Sequence, residues 1–255
     1  MKRSHSGVRY LPWLARDAML WPGRFFGLAI VGVSLLVWRF AARMHLPRPD
    51  QVRVNNRPMP MVTDISQLVQ VGVWNTCLTV AILMTVGTII GTDLERGYFR
   101  SWFSKPMSPF WFYLQRFLIG AVVILLCPLV LGIGLMLATG GSTGVTADLI
   151  GQIALAYLLV GSAAALASRF MSKGYLVVFL LSVMQNILHS IATRDFLPGW
   201  ALELHRLLPP FYLLQPGLPV PHGGELWHIV GYGGGMLLLV LVLLRSRPLG
   251  SGLST

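Results

Sequence analysis

Asp93, Glu95, Arg96, Arg100, Lys105 and Arg116 put six charges into the stretch 91–116, GTDLERGYFRSWFSKPMSPFWFYLQR, whereas 66–92 and 117–138 on either side carry only uncharged side chains. Large rings are interleaved with those charges: Phe99, Trp102 and Phe103 fall at i, i+3 and i+4, the spacing of one helical face. Charges mixed with aromatics suit docking, because rings supply wide contact area at low entropic cost. A segment this polar cannot sit in hydrocarbon, so it must face water on one side of a bilayer. A second set of polar side chains lies inside apolar runs: Asn75 and Thr79, then Gln185, Asn186 and His189. These serve either as interhelical hydrogen-bonding groups or as the lining of a substrate path.

Catalytic and cofactor chemistry has no comparable signal. A phosphate-binding loop of the Walker type needs Gly directly before Lys, and the three lysines follow Met1, Ser104 and Ser172. The run GYGGG at 231–235 lacks Gly-x-Gly-x-x-Gly spacing and reads as close helix packing or a bend. His189 and His228 would serve a haem only as a pair at matching depth. Cys77 and Cys127 both fall in apolar runs without Cys-x-x-Cys spacing, so they read as packing residues, with no metal site. The expectation is a chain that is not an enzyme and holds no cofactor of its own.

Composition indicates the scaffold that carries these residues. Charged residues make up 11 % of the chain, against roughly 25 % in soluble proteins. With a mean hydropathy of +0.67 the chain reads as an all-α membrane protein. Its net charge of +11 does not point to nucleic acid, because the basic residues sit at the ends of apolar runs, where headgroups and loop water meet them. Residues 1–24 are basic and interleaved with Trp13, Leu14, Met19, Leu20 and Trp21, the pattern of an amphipathic segment lying on lipid headgroups.

Six apolar runs occupy 25–247, at about 25–42, 66–91, 117–138, 148–168, 174–192 and 226–244, each near the ~20 residues that cross a bilayer. Residues 51–62 carry an expected short hairpin around Asn55-Asn56, limited by Pro58 and Pro60. WALELHRLL at 200–208 reads as a short interfacial helix, and Pro209, Pro210, Pro216, Pro219 and Pro221 break regular structure after it. Residues 248–255 form a short tail. An inside N-terminus puts 13 of the 20 basic residues inside, which predicts cytoplasmic termini and a cytoplasmic 91–116 segment in the inner membrane.

Within 91–116, Pro106 stops the first helix, and Ser108-Pro109 supplies an N-cap and a first-turn proline for the next. Helix, proline turn and new helix make a compact protrusion with an aromatic tip, or else an aromatic belt at the ends of two spans. Asp93-Leu94-Glu95-Arg96-Gly97 followed by Ser104-Lys105-Pro106-Met107-Ser108 resembles the signature of the type 2 ABC-exporter permeases, and the six-span layout is similar to theirs. The resemblance implies that this segment is a coupling helix, seated on a separate ABC-type ATPase subunit that holds the ATP and Mg.

On that reading Phe99, Trp102 and Phe103 are the knob that the partner grips. Glu95 and Arg96 close ion pairs or cap the helix, and Gly97 permits a close turn. Arg100 and Lys105 meet acidic partner residues, and Pro106 ends the knob. A second permease chain, identical or related, completes the expected assembly. The rival expectations are a non-transport anchor or assembly subunit of a respiratory or secretion complex, and an intramembrane enzyme acting on lipids.

Overall fold

The computed structural model describes residues 53–54, 57–58, 78–87, 89–90, 93, 108–139, 147–171, 173–192, 207–214 and 220–246. Two strands, β1 (Arg53–Val54) and β2 (Arg57–Pro58), pair antiparallel with Val54 opposite Arg57. They flank Asn55-Asn56 as the expected hairpin requires, and the rest of 51–62 lies outside the described residues.

The remaining regular structure among the described residues is helical. It comprises α1 (Leu78–Gly87), α2 (Pro109–Thr139), α3 (Ala147–Phe170), α4 (Gly174–Ala192) and α5 (Gly224–Ser246), with a 3-10 turn at Phe211–Leu213. Beyond α1, Ile89, Ile90 and Asp93 are also helical. The expected run 25–42, residues 66–77 of the second run, the termini 1–24 and 248–255, and the start of the interfacial helix at 200–206 lie outside the described residues.

Local chemistry sets the helix ends. Pro109 opens α2, where its fixed φ is pre-set for a helix and its missing N–H costs nothing. The Phe112 N–H donates to Ser108 O at 3.1 Å, closing the first turn. The helix starts where Ser108-Pro109 predicts, ahead of the span expected at 117, and the aromatic end of the charged stretch is part of it. Between α3 and α4 the Met171 N–H donates to Ala167 O and the Gly174 N–H to Met171 O, both at 3.0 Å. Only glycine fits at 174, since a Cβ there would overlap the Ala167 carbonyl.

Three helical stretches, Pro109–Leu126, Ala147–Phe170 and Gly224–Arg245, are long and apolar enough to cross a membrane. The outward faces agree with that environment. Leu118 and Val122 on α2, Leu180, Met184 and Ile187 on α4, and Leu238 on α5 are all exposed. The interior, in contrast, holds Thr85, Gln152, Ser162, Ser168 and Gln185. Apolar outside and partly polar inside is the arrangement that hydrocarbon selects and water opposes. These features mark the chain as membrane-associated.

Helix α3 is the spine of the bundle: 61 % of its most apolar stretch is buried, against 33 % for α2 and 22 % for α5. It packs along α4 and α5, and it meets α2. Midway it loosens into a π turn, Tyr157–Gly161. There the Tyr157 hydroxyl donates to Phe117 O of α2 at 2.8 Å, and the two rings lie 4.9 Å apart. A π turn inserts one residue into the helical repeat and so re-aims the side chains around it. Here it carries Tyr157 onto α2, where Gly120 leaves room for the hydroxyl.

Close approach of α5 to the same turn depends on Gly233, where a Cβ would stand 2.8 Å from Leu158 Cγ and 3.1 Å from its carbonyl oxygen. Two positions earlier, Gly231 has open space around it. Thermal unfolding in mild detergent is expected to separate the two. Gly233→Val should destabilise by about 1–3 kcal/mol through overpacking. Gly231→Ala should be neutral or stabilise by about 0.5–1 kcal/mol through helix propensity.

Candidate functional site

The charged stretch is entered from α1 and left through α2, and its two limits meet. Asp93 lies one turn beyond Ile89 and Ile90, whose side chains are buried in the core. Arg116 lies two turns into α2. Their side chains form an ion pair, Arg116 Nη1 to Asp93 Oδ2 at 2.7 Å, with only 6 % and 4 % of the respective side chains exposed. The Tyr113 hydroxyl donates to the same oxygen at 3.2 Å. Tyr113 and Arg116 are three residues apart on one helix, so both reach the carboxylate from the same face.

The guanidinium is held from its other side by its own helix. Its central carbon lies 5.4 Å from the centre of the Phe112 ring, four residues earlier, within the range of a cation–π contact. Phe112 in turn meets the Tyr113 ring edge-on at 5.2 Å. Two aromatic rings and an arginine thus form a cradle for one carboxylate. Taking both charges out of water is expensive, and their attraction offsets the cost only with good geometry and further hydrogen bonds. The 2.7 Å contact and the phenol supply both.

Behind the ion pair Tyr113 lines a narrow apolar gap with Val86, Ile89 and Ile90 of α1 and its extension, Phe117 of α2, and Ala165 of α3. Leu237, Val240, Leu241 and Leu244 of α5 close its far wall. The phenol ring therefore divides an apolar seam from a charged clasp.

Of the residues expected to form the knob, Glu95, Arg96, Gly97, Phe99, Arg100, Trp102, Phe103, Lys105 and Pro106 lie outside the described residues, as does Asn75 of the expected substrate path. Thr79 is half-buried on α1. Gln185, Asn186 and His189 share one stretch of α4. Gln185 is fully buried, while the Asn186 amide donates to Ser182 O of its own helix at 2.9 Å. The His189 ring stacks on Tyr212 of the 3-10 turn, with centroids 4.3 Å apart and planes 16° from parallel. His228 packs instead against Tyr232, whose hydroxyl donates to Leu207 O at 2.6 Å. Each imidazole therefore faces a tyrosine ring. Among the described residues no three His, Cys, Asp or Glu side chains gather as a metal site would need.

Sequence reasoning counted Asp93 and Arg116 among the charges of the stretch without giving them a site role, and it missed Tyr113 and Tyr157 altogether. Tyr113 reads in sequence only as one ring among many, and its place three residues before Arg116 is the signal that could have found it. Comparison with known proteins finds no match: no family model, curated protein or solved structure is similar to this chain.

Removing the carboxylate should cost far more than removing the phenol. Asp93→Leu strands a buried guanidinium and is expected to lower stability by about 3–5 kcal/mol. Tyr113→Phe deletes one hydrogen bond and should cost about 1 kcal/mol. Unfolding midpoints of the purified chain in one detergent check the order, and equal losses for the two variants would contradict the reading of the clasp.

Proposed function

We propose that this chain is the membrane-spanning permease subunit of a type 2 ABC exporter, moving its substrate with ATP hydrolysed, in the presence of Mg, by a separate subunit. The reading rests on one observation above the others. The charged aromatic stretch has its two ends clasped together by the buried Asp93–Arg116 pair, so a push on the residues between them reaches α1 and α2 as one body. A coupling element needs that rigidity, because a load applied to a loose loop is dissipated before it reaches the spans. An anchor or assembly subunit has no comparable use for it.

On this proposal the six runs are six spans, both termini are cytoplasmic, and the protein sits in the inner membrane. Two permease chains face each other above two ATPase subunits. Phe99, Trp102 and Phe103 form the knob, flanked by Arg100 and Lys105. Gln185, Asn186 and His189, with Thr79 and Asn75, are the candidate path residues, supported by the full burial of Gln185 within the bundle.

The tagged chain purified in mild detergent from its own host is expected to bring an ATPase subunit with it. Replacing Phe99 and Trp102 together by Ala should weaken that association at least about 30-fold, the effect of losing a hot spot of about 2 kcal/mol, while the helical circular dichroism is unchanged. A double variant that retains the ATPase at full stoichiometry would overturn the proposal.

A further inference from the structure

We infer that the clasp end of the bundle is a docking surface for anionic phospholipid: Lys173 and Arg245 engage headgroup phosphates, and Trp111 and Phe170 lie in the interface beside them. The inference needs only a chain that crosses a bilayer, so it stands apart from the exporter reading.

The helices bring these residues to one end. α3 and α5 run parallel, since Leu158 meets Gly233 and, two turns on, Ala165 lines one gap with Leu241 and Leu244. Arg169 in the last turn of α3 and Arg245 in the last turn of α5 therefore reach the same level. Gly87 of α1 ties α4 to that level: the Ser168 hydroxyl donates to Gly87 O at 3.4 Å, and a Cβ on Gly87 would stand 2.6 Å from Tyr175 Cβ in the first turn of α4. Lys173 immediately precedes that turn. Trp111 is in the first turn of α2, which starts beside the clasp. Lys173 and Arg245 are exposed, and so are Trp111 and Phe170, by 59 % and 69 %.

Charge is sorted between the two ends. Among the described residues of these helices, Arg116, Arg169, Lys173 and Arg245 are at the clasp end, where Asp93 is held by Arg116, whereas Asp148 and Glu225 stand in the first turns of α3 and α5 at the opposite end. Helix dipoles explain part of this, since they favour acids in a first turn and cations in a last one. They do not explain Lys173. Its carbonyl accepts from the Leu176 N–H at 3.0 Å, opening α4, so a cation is placed at a helix N-terminus, where the dipole opposes it. Anionic headgroups supply the counter-charge, and near such a surface each Lys or Arg gives about a fivefold gain in association. Trp111 continues the outward stripe of Leu118 and Val122, and Arg245 that of Leu238 and Val242. The surface thus runs unbroken into the lipid-facing sides, which favours lipid over an acidic protein as its occupant. From Trp227 to Arg245, α5 rises about 27 Å, close to the ~30 Å of a hydrocarbon core, so the two ends fall at the two interfaces.

Local lipid composition around the full chain in phosphatidylcholine nanodiscs tests this, in a background with Cys77→Ser and Cys127→Ser. Bimane on Met171→Cys reports the lipid at the clasp end, and bimane on Trp227→Cys reports the opposite interface. Each is quenched by added spin-labelled phosphatidylglycerol or spin-labelled phosphatidylcholine. At 171 the anionic lipid is expected to reach half-quenching at a mole fraction at least about fivefold lower than the zwitterionic one, and at 227 the two should be equal. Salt at about 1 M should shrink the difference at 171 by screening.

Lys173→Gln with Arg245→Gln should abolish the preference at 171 while the helical circular dichroism is unchanged, and Lys173→Arg with Arg245→Lys should keep it. Equal quenching by the two lipids at 171 in the otherwise native chain, the outcome for cations reserved for an acidic protein, would overturn the inference. A preference that survives the double glutamine variant, or that is as large at 227, would overturn it as well.

Discussion

A carboxylate and a guanidinium that have left water must stay together, and this requirement fixes more of the molecule than any other contact. Asp93 and Arg116 lie 23 residues apart in sequence and 2.7 Å apart in space. With the pair closed, the end of α1 and the second turn of α2 cannot slide past one another. The chain between them is clamped at both ends. The pair also sets the orientation of Tyr113, whose hydroxyl is committed to Asp93 while its ring seals the apolar gap behind. Apolar packing alone would let two helices rotate and shift by fractions of a turn. A mutual requirement of one oxygen and one guanidinium allows a single register.

The rest of the bundle is arranged around a spine that is itself interrupted. The π turn of α3 costs regular hydrogen bonding at Tyr157–Gly161, and what it supplies instead is aim. Tyr157 reaches the backbone of α2, Leu158 meets Gly233 of α5, and Gly161 accepts Phe117 and Val86 at close range. Three helices, α1, α2 and α5, therefore converge on one irregular turn of α3 through small residues and a single phenol. Small residues let helices approach in lipid, where burial of apolar surface gives no preference for protein over tails. Cohesion comes from close packing and from hydrogen bonds that cross between helices, such as Tyr157 to Phe117 and Ser168 to Gly87.

Much of this architecture can be read from the sequence wherever local chemistry decides. The start of a helix at Pro109 follows from the proline and the serine before it, and the α3–α4 turn from Arg169, Lys173 and Gly174. The α4 limits coincide with the expected 174–192 run, and the short hairpin falls where Asn55-Asn56 suggests. The π turn leaves no trace, because Tyr157–Gly161 reads as ordinary apolar helix and its cause lies in neighbours from α2 and α5. The pairing of Asp93 with Arg116 is hidden for a related reason. Both charges belong to one polar stretch, yet pairing depends on how α1 and α2 lie against each other, which periodicity does not encode. The aromatic knob and the first of the six runs belong to residues outside those described, so the structure adds to their reading only through the clasp beside them.

Rigidity at one end of the bundle gains meaning from the different chemistry at the other. At the α1–α2 clasp, charge and geometry specify a single contact. At the far end, the Leu207–Leu214 segment is held by a ring stack between Tyr212 and His189 and by one phenol to a carbonyl, contacts that tolerate small displacements. Phe211 and Leu214 nevertheless reach the core, so that segment is packed in and is not a loose surface loop. A bundle stiff where charges meet and compliant where rings and prolines meet will concentrate any imposed movement at its compliant end. If the clasp receives the load, the displacement appears about α4 and the 3-10 turn, beside the buried Gln185 and the His189–Tyr212 stack.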